Sequence, residues 1–489
     1  MEESLKTKEA PTLKLNYKRT ALIGFAFFGI LLLWQVYDSW CPTFLTDIFA
    51  QAFYGMTSAE LKLADEAKIL EVQWIVGIIM AADNLAALIL LPIFGNLSDK
   101  TKTPIGKRMP YILIGTLVSA VAFPFIPLLF HLNSVVGMVI MMGVVLLFMM
   151  MYRNPAVSLM PDITPKPLRA KANGIINIMG YFGGAFATIL GMGGLALSNY
   201  INATREARAG MLWVIETPFL VASLLMVISA LVLFFTIKEN KLHDELKEEL
   251  DEGERQAAVA DKLDDDKPMS KANKIMLFAI LGAEFLWFMA DNGIGTYIGN
   301  FVIYYLKAKS SGTMILTIVG GVASVAGFAI AGFIADKIGR KWTITLGLSI
   351  TIVGMIIMCL FVRPTGVLKE GGMNGEFTIP MLIYVVWLFK GFGMALVHNC
   401  SFPMVVELST GKTVGKFTGF YYAASMSAQT ITPILLGLIF MKTQVWIALP
   451  IYAVILYALA CVVFGILVKN IKAHKVENVK GLEALGGDD

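Results

Sequence analysis

Twelve runs of about 20 apolar residues, separated by short polar stretches, leave this chain few folds to adopt. They begin near Arg19, Gln73, Pro110, Ser134, Ala172, Met211, Ile275, Thr313, Trp342, Ile379, Phe417 and Val445. A bilayer core of roughly 30 Å is crossed by about 20 helical residues, so each run is long enough to span. The composition agrees: 57% of residues are hydrophobic and 16% charged, against about 45–50% and about 25% in soluble chains. An all-α membrane protein of twelve transmembrane helices is expected.

Six runs precede a polar stretch and six follow it. The expected organisation is a tail at 1–18, a six-helix bundle at 19–237, a central loop at 238–274, a second bundle at 275–469 and a tail at 470–489. Lys and Arg fix the orientation, because cytoplasmic loops hold their excess. The tails and the loops after spans 2, 4, 8 and 10 carry 21, and the alternate loops nine. Both termini are therefore expected in the cytoplasm. The central loop holds Glu248, Glu249, Asp251, Glu252 and Glu254 among lysines, a composition that buries no core, so it reads as a solvated linker, helical in part.

The net charge of +4 gives no hint of nucleic-acid binding, and Cys41, Cys359, Cys400 and Cys461 lack zinc-site spacing. No Gly-x-x-x-x-Gly-Lys-Ser/Thr loop argues for ATP-driven pumping. No nucleophile–base set or metal cluster argues for an enzyme, so neither a cofactor nor a metal is expected.

The halves repeat one another. Gly95-Asn96-Leu97-Ser98-Asp99-Lys100 follows span 2, with Lys107 and Arg108 beyond it, and Gly332-Phe333-Ile334-Ala335-Asp336-Lys337 follows span 8, with Arg340 beyond it. Arg153-Asn154 and Asp162 likewise correspond to His398-Asn399 and Glu407, at an offset of 245. Glycine lets helices approach closely, and an Asp can face a helix N-terminus. Gly95, Asp99, Lys107, Arg108, Asp162, Arg169, Gly332, Asp336, Arg340 and Glu407 are thus candidate gating residues, and two pseudo-symmetric bundles are expected.

The doubled Gly-x-x-x-Asp-(Lys/Arg) loop resembles the signature of the major facilitator superfamily, over nearly the whole chain. Gly95–Gly115, the Arg153–Asn173 segment and Trp34–Leu45 are similar to the sucrose- and maltose-type proton symporters and the glycoside–pentoside–hexuronide:cation symporters. The resemblance implies alternating access by two rocking bundles, with a sugar bound at the midplane and an ion gradient as driving force. It also implies a multi-pass protein of a bacterial plasma membrane, in contact with lipid and functional as a monomer. Two departures stand out: Arg153 lies nine residues before Asp162, and Gly295 stands where relatives carry an acid near Asp291.

Ionisable groups inside a bilayer are costly and default to functional hypotheses. Asp38, Asp83, Arg153, Glu284 and Asp291 are candidates for proton coupling, led by Asp83 or Asp38. A buried carboxylate beside Arg153 that loses its proton as the cavity opens inward would let the loaded carrier switch state. Glu216, near the mouth of span 6, is a weaker candidate. Sugar recognition needs amides, carboxylates and aromatic faces. Tyr37, Asp38, Asn84, Arg153, Asn154, Asn292, Tyr297, Trp387, Lys390, His398, Asn399 and Gln429 are the candidates, with Asn154 and Asn399 favoured by the repeat. The expectation is proton-coupled uptake of a disaccharide or related glycoside. The alternatives are a sodium-coupled symporter or exporter of another small solute, and a non-transporting solute sensor.

Overall fold

The computed structural model describes residues 13–190, 212–263, 270–308, 311–364, 380–408 and 413–469. Residues 1–12 and 470–489 of the expected tails lie outside these.

The chain is all helical. The helices are α1 (Tyr17–Tyr54), α2 (Ser58–Ala64), α3 (Glu66–Glu71), α4 (Gln73–Lys100), α5 (Met109–Ala122), α6 (Phe125–His131), α7 (Val135–Asp162), α8 (Arg169–Leu190) and α9 (Leu212–Thr236). After them come α10 (Glu239–Glu245), α11 (Lys247–Leu263), α12 (Lys271–Asn300), α13 (Ser311–Ile338), α14 (Arg340–Phe361), α15 (Met381–Glu407), α16 (Val414–Thr443) and α17 (Ala448–Leu467). Eleven helical segments among the described residues are long and apolar enough to cross a membrane. The helix at the place of the fifth span, α8, is described only as far as Leu190.

Capping chemistry marks several ends. The Asn16 side chain accepts from Arg19 N at 3.0 Å to start α1, and Gly55 ends it at φ 67°. A Thr57–Glu60 capping box starts α2, and Ser270 caps α12.

The helices of α1–α9 pack mainly on one another, as do those of α12–α17, and the two sets meet along α4 with α16 and α1 with α12. A Cβ on Gly77 would lie 2.1 Å from the Pro433 carbonyl oxygen, and one on Gly437 would lie 2.4 Å from that of Gln73, so only glycine permits this approach.

These contacts cluster at the end of the bundle remote from the chain termini, called here the far end. Asn300 donates to Thr46 Oγ1 at 2.9 Å and to Gln73 Oε1 at 3.0 Å, and Thr43 donates to Asn300 Oδ1 at 3.2 Å. Tyr297 donates to the Pro433 and Gln73 carbonyls at 2.7 and 3.2 Å. The Tyr304 hydroxyl reaches Ser58 Oγ at 3.0 Å, and Ser58 in turn donates to Asp47 at 2.6 Å. Every group in this seam is buried, which makes each bond costly to leave unmade.

The end that carries the termini holds ion pairs within each half. Arg108 bonds Asp162 at 2.8 Å and also pairs with Asp99, while Lys107 reaches Asp162 at 3.1 Å. In the other half Arg340 pairs with Glu407 at 2.6 Å. Asp336 is exposed, and a Cβ on Gly332 would meet nothing, whereas one on Gly95 would lie 2.6 Å from Asn154 Nδ2. The repeated glycine therefore marks a close helix approach in the first half alone.

The expected linker turns out to be partly buried structure. Glu239 is 4% exposed, and its carboxylate accepts from the Lys107, Arg108 and Met109 amides at the start of α5. The acid at a helix N-terminus, expected from Asp99, is supplied by Glu239. Gly106 beside it has φ 120°, and a Cβ there would sit 2.0 Å from Glu239 Oε2. Further on, Gly253 of α11 seats that helix against Pro165 and Lys166.

Candidate functional site

The membrane-embedded charges gather into two groups, one per half. In the first, Asp83 on α4 lies within electrostatic reach of Asp38 on α1 and of Arg153 on α7. Asp83 is buried and accepts from the Asn84 backbone and side-chain amides at 2.6 and 2.9 Å. Asp38 is exposed although Tyr37 and Trp40 beside it are completely buried, and no cation is paired with it among the described residues.

Helix α1 contains Pro42, which has no N–H to give the Asp38 carbonyl four residues earlier. Pro403 and Pro433 do the same for the carbonyls of Asn399 and Gln429. All three flank half-buried or exposed polar side chains, so backbone oxygens supplement the side chains there.

In the second group Lys390 on α15 pairs with Asp291 on α12 at 2.5 Å, and the Tyr457 hydroxyl donates to the same carboxylate oxygen at 3.2 Å. His398 lies near both charges and against the Phe288 ring at 5.3 Å. Asp291 and Lys390 are thus held by each other.

The aromatic candidates divide. Trp34 meets Tyr37 edge-on at 5.8 Å. Trp34 Nε1, the Tyr37 hydroxyl, Trp287 Nε1 and Asn292 Oδ1 are buried and have no hydrogen-bond partner among the described residues. Groups of this kind usually have one, and these four sit on α1 and α12, two helices that meet across the halves. Tyr297 belongs to the far seam instead, and Trp387 is buried against Gly320. Asn154 donates to the Leu91 carbonyl and accepts from Ser158, which ties α7 to α4. Asn399 and Gln429 are half-buried, and Glu284 is fully buried on α12.

Sequence reasoning missed a further repeat. Trp34-x-x-x-Asp38 and Trp287-x-x-x-Asp291 match at an offset of 253, and nine residues beyond each acid stand Asp47 and Asn300, both in the far seam. Aligning span 1 with span 7 would have found it.

These features converge on one family. The Major Facilitator Superfamily model matches residues 41–364 and 277–485. The chain belongs to that superfamily. It is accordingly a multi-pass membrane transporter, not an enzyme, with the family's twelve-helix fold. No curated protein sequence matches it. Among solved structures it is similar to the inward-open xylose transporter XylE from E. coli, at TM-score 0.61 and 16% identity, covering 96% of this chain and 99% of that one. A D-xylose-proton symporter is matched at 0.59 and 15%, covering 93% and 99%. The nucleoside transporter NupG is matched at 0.58 and 11%, covering 92% and 100%.

Proposed function

We propose that this transporter imports a hydroxylated solute, a disaccharide or related glycoside, in symport with a proton. The observation that carries the solute class is that Trp34, Tyr37, Trp287 and Asn292 are among the buried donors and acceptors on α1 and α12 that have no hydrogen-bond partner among the described residues. Sugar hydroxyls both donate and accept, so they suit such a lining, while the indole and phenol faces suit the C–H side of a ring. Two of the similar folds are described as xylose carriers and one as a nucleoside carrier; nucleosides also carry hydroxyls.

The coupling proton belongs to Asp38 or Asp83. Asp38 is the exposed acid, and Asp83 feels the charges of both Asp38 and Arg153. Protonation removes a charge that is costly to carry through an occluded state. The excess of Lys and Arg at the terminal end places that end in the cytoplasm, so the conformation with a closed far end faces inward. A lone functional copy is the working unit of this reading.

Sodium coupling is the second reading, and the Asp38 carboxylate together with its carbonyl freed by Pro42 favours it, because oxygens of both kinds bind Na⁺ in broken helices.

The test is to add single sugars to lightly buffered, de-energised cells that overproduce the protein, and to record external pH. Sucrose, maltose, trehalose, melibiose, glucose and a pentose form the panel. Alkalinisation with one disaccharide, absent in Asp38→Asn or Asp83→Asn, is expected. A pH trace that stays flat for every sugar overturns proton–sugar symport, and a flat trace with sodium-dependent uptake moves the coupling to Na⁺.

A further inference from the structure

The outer surface of the second half carries a groove that the central charges do not use. Helices α13 and α14 each pack closely on α15 but only sparsely on each other. Glycines set that arrangement. A Cβ on Gly391 of α15 would lie 2.2 Å from the Gly320 carbonyl oxygen of α13, and one on Gly347 of α14 would lie 2.4 Å from that of Gly393. Two helices drawn onto a third in this way leave a trough between them. Val322 and Ala326 line it from α13, Ser349 and Val353 from α14, and Phe389 and Phe392 from α15, around a space of about 690 Å³. Sites that hold a small molecule run from roughly 300 to 1,000 Å³.

Three observations decide what fits there. The first is chemistry. Ser349 is the one polar residue of the lining, and its hydroxyl already donates to the Thr345 carbonyl at 2.8 Å. A buried water needs about 2–4 polar partners, so this lining holds none. The second is depth. Ser349 and Val353 lie nine and thirteen residues beyond Arg340, the first of the 22 residues of α14. At about 1.5 Å each that is roughly 14–20 Å along a helix of roughly 33 Å, the middle of the hydrocarbon. The third is exposure. Helix α14 packs chiefly on α13, α15 and α17, all of its own half. Val322 and Val353 are 66% and 49% exposed, and one turn beyond them Val325 and Ile356 are exposed as well. The groove therefore continues the lipid-facing surface. An unfilled trough forfeits dispersion contacts along its walls, and hydrocarbon chains are what the bilayer supplies at this depth.

We propose that this groove is a binding site for one acyl chain of a membrane lipid, held on Phe389 and Phe392 between α13 and α14. Lys390, the next residue of α15, is directed instead to Asp291 at 2.5 Å. The chain thus lies behind the central charges and binds whichever solute is carried.

The probe is a phosphatidylcholine with a diazirine midway along one chain, added in equimolar amount to the purified full chain in detergent micelles. After photolysis, peptide mass spectrometry maps the adducts. They should favour Phe389 and Phe392 over Ile455 and Leu459, exposed at mid-span on α17, by about fivefold, the preference that roughly 1 kcal/mol of better contact gives. Ala326→Phe places a ring in the groove from an exposed position and should bring the adducts on Phe389 and Phe392 down to the level of Ile455. Should that variant fail to fold, Ser349→Leu, also at an exposed position, is expected to lower them in the same way. A phosphatidylglycerol probe should give the same map, since the groove meets the chain and not the headgroup. Adducts spread evenly over lipid-facing residues, no adducts in the groove, or adducts unchanged by the filling substitutions overturn the proposal; so does a map that changes with the headgroup.

Discussion

The two halves repeat one sequence plan but handle their buried charge in opposite ways. In the second half Asp291 is bound to Lys390 at 2.5 Å and to Tyr457 at 3.2 Å, so its charge is already met inside the protein. In the first half Asp38 stands exposed, and Asp83 is left to its neighbour Asn84 and the field of Arg153. A proton that must come and go is better carried by an acid that is not already paired. In the proton-coupled reading proposed above, the Trp-x-x-x-Asp repeat supplies a fixed acid in one half and an exchangeable one in the other.

The sharpest way to break this comparison is to neutralise each acid in turn. Asp38→Asn should abolish uphill accumulation while leaving counterflow, whereas Lys390→Met should act on the fold. Removing one partner leaves the other charge unmatched at a half-buried position within the spans, so thermal unfolding of Lys390→Met should be lowered, and Asp291→Asn/Lys390→Met should recover much of the loss. If Asp38→Asn still accumulates solute, the exchangeable acid lies elsewhere.

The halves also differ in how they are fastened. Asn300→Ala removes hydrogen bonds to Thr43, Thr46 and Gln73 in the buried seam. A lost buried partner costs about 1–3 kcal/mol, so the far end should open more often, seen as faster labelling of a cysteine at Thr43. Gly106→Ala, at a left-handed φ with Glu239 Oε2 2.0 Å from its new Cβ, should cost a similar ~1–3 kcal/mol, read as a lower melting temperature without altered labelling. Arg340→Gln should change least, by ~0–1 kcal/mol, because its pair with Glu407 is part-exposed. Arg108→Gln, which gives up Asp99 and Asp162 together from a buried position, should exceed it in the same unfolding assay.

The fold was legible in the sequence because spanning runs and basic loops are dictated by the bilayer, which acts on every residue alike. The charged residues were legible for the same reason: a charge in hydrocarbon is conspicuous wherever it falls. What stayed hidden depends on packing between distant segments. Asn154 and Asn399 occupy equivalent positions, yet Asn154 is spent on the Leu91 carbonyl where Gly95 lets α7 approach α4. Tyr297 has the look of a ligand for a sugar but bonds the carbonyls of α4 and α16. Glu239, in an acidic stretch that reads as solvated, is buried by a cluster of amides 130 residues earlier.

That docking has a mechanical consequence. With Glu239 anchored on α5 and α11 seated on Pro165 and Lys166, the central connection is not a long slack tether. Seven residues, 264–270, separate Leu263 from Lys271. Fully extended at about 3.5 Å each, they span roughly 25 Å. As long as α11 stays seated, the leash limits how far the two halves can swing apart at the end that carries the termini.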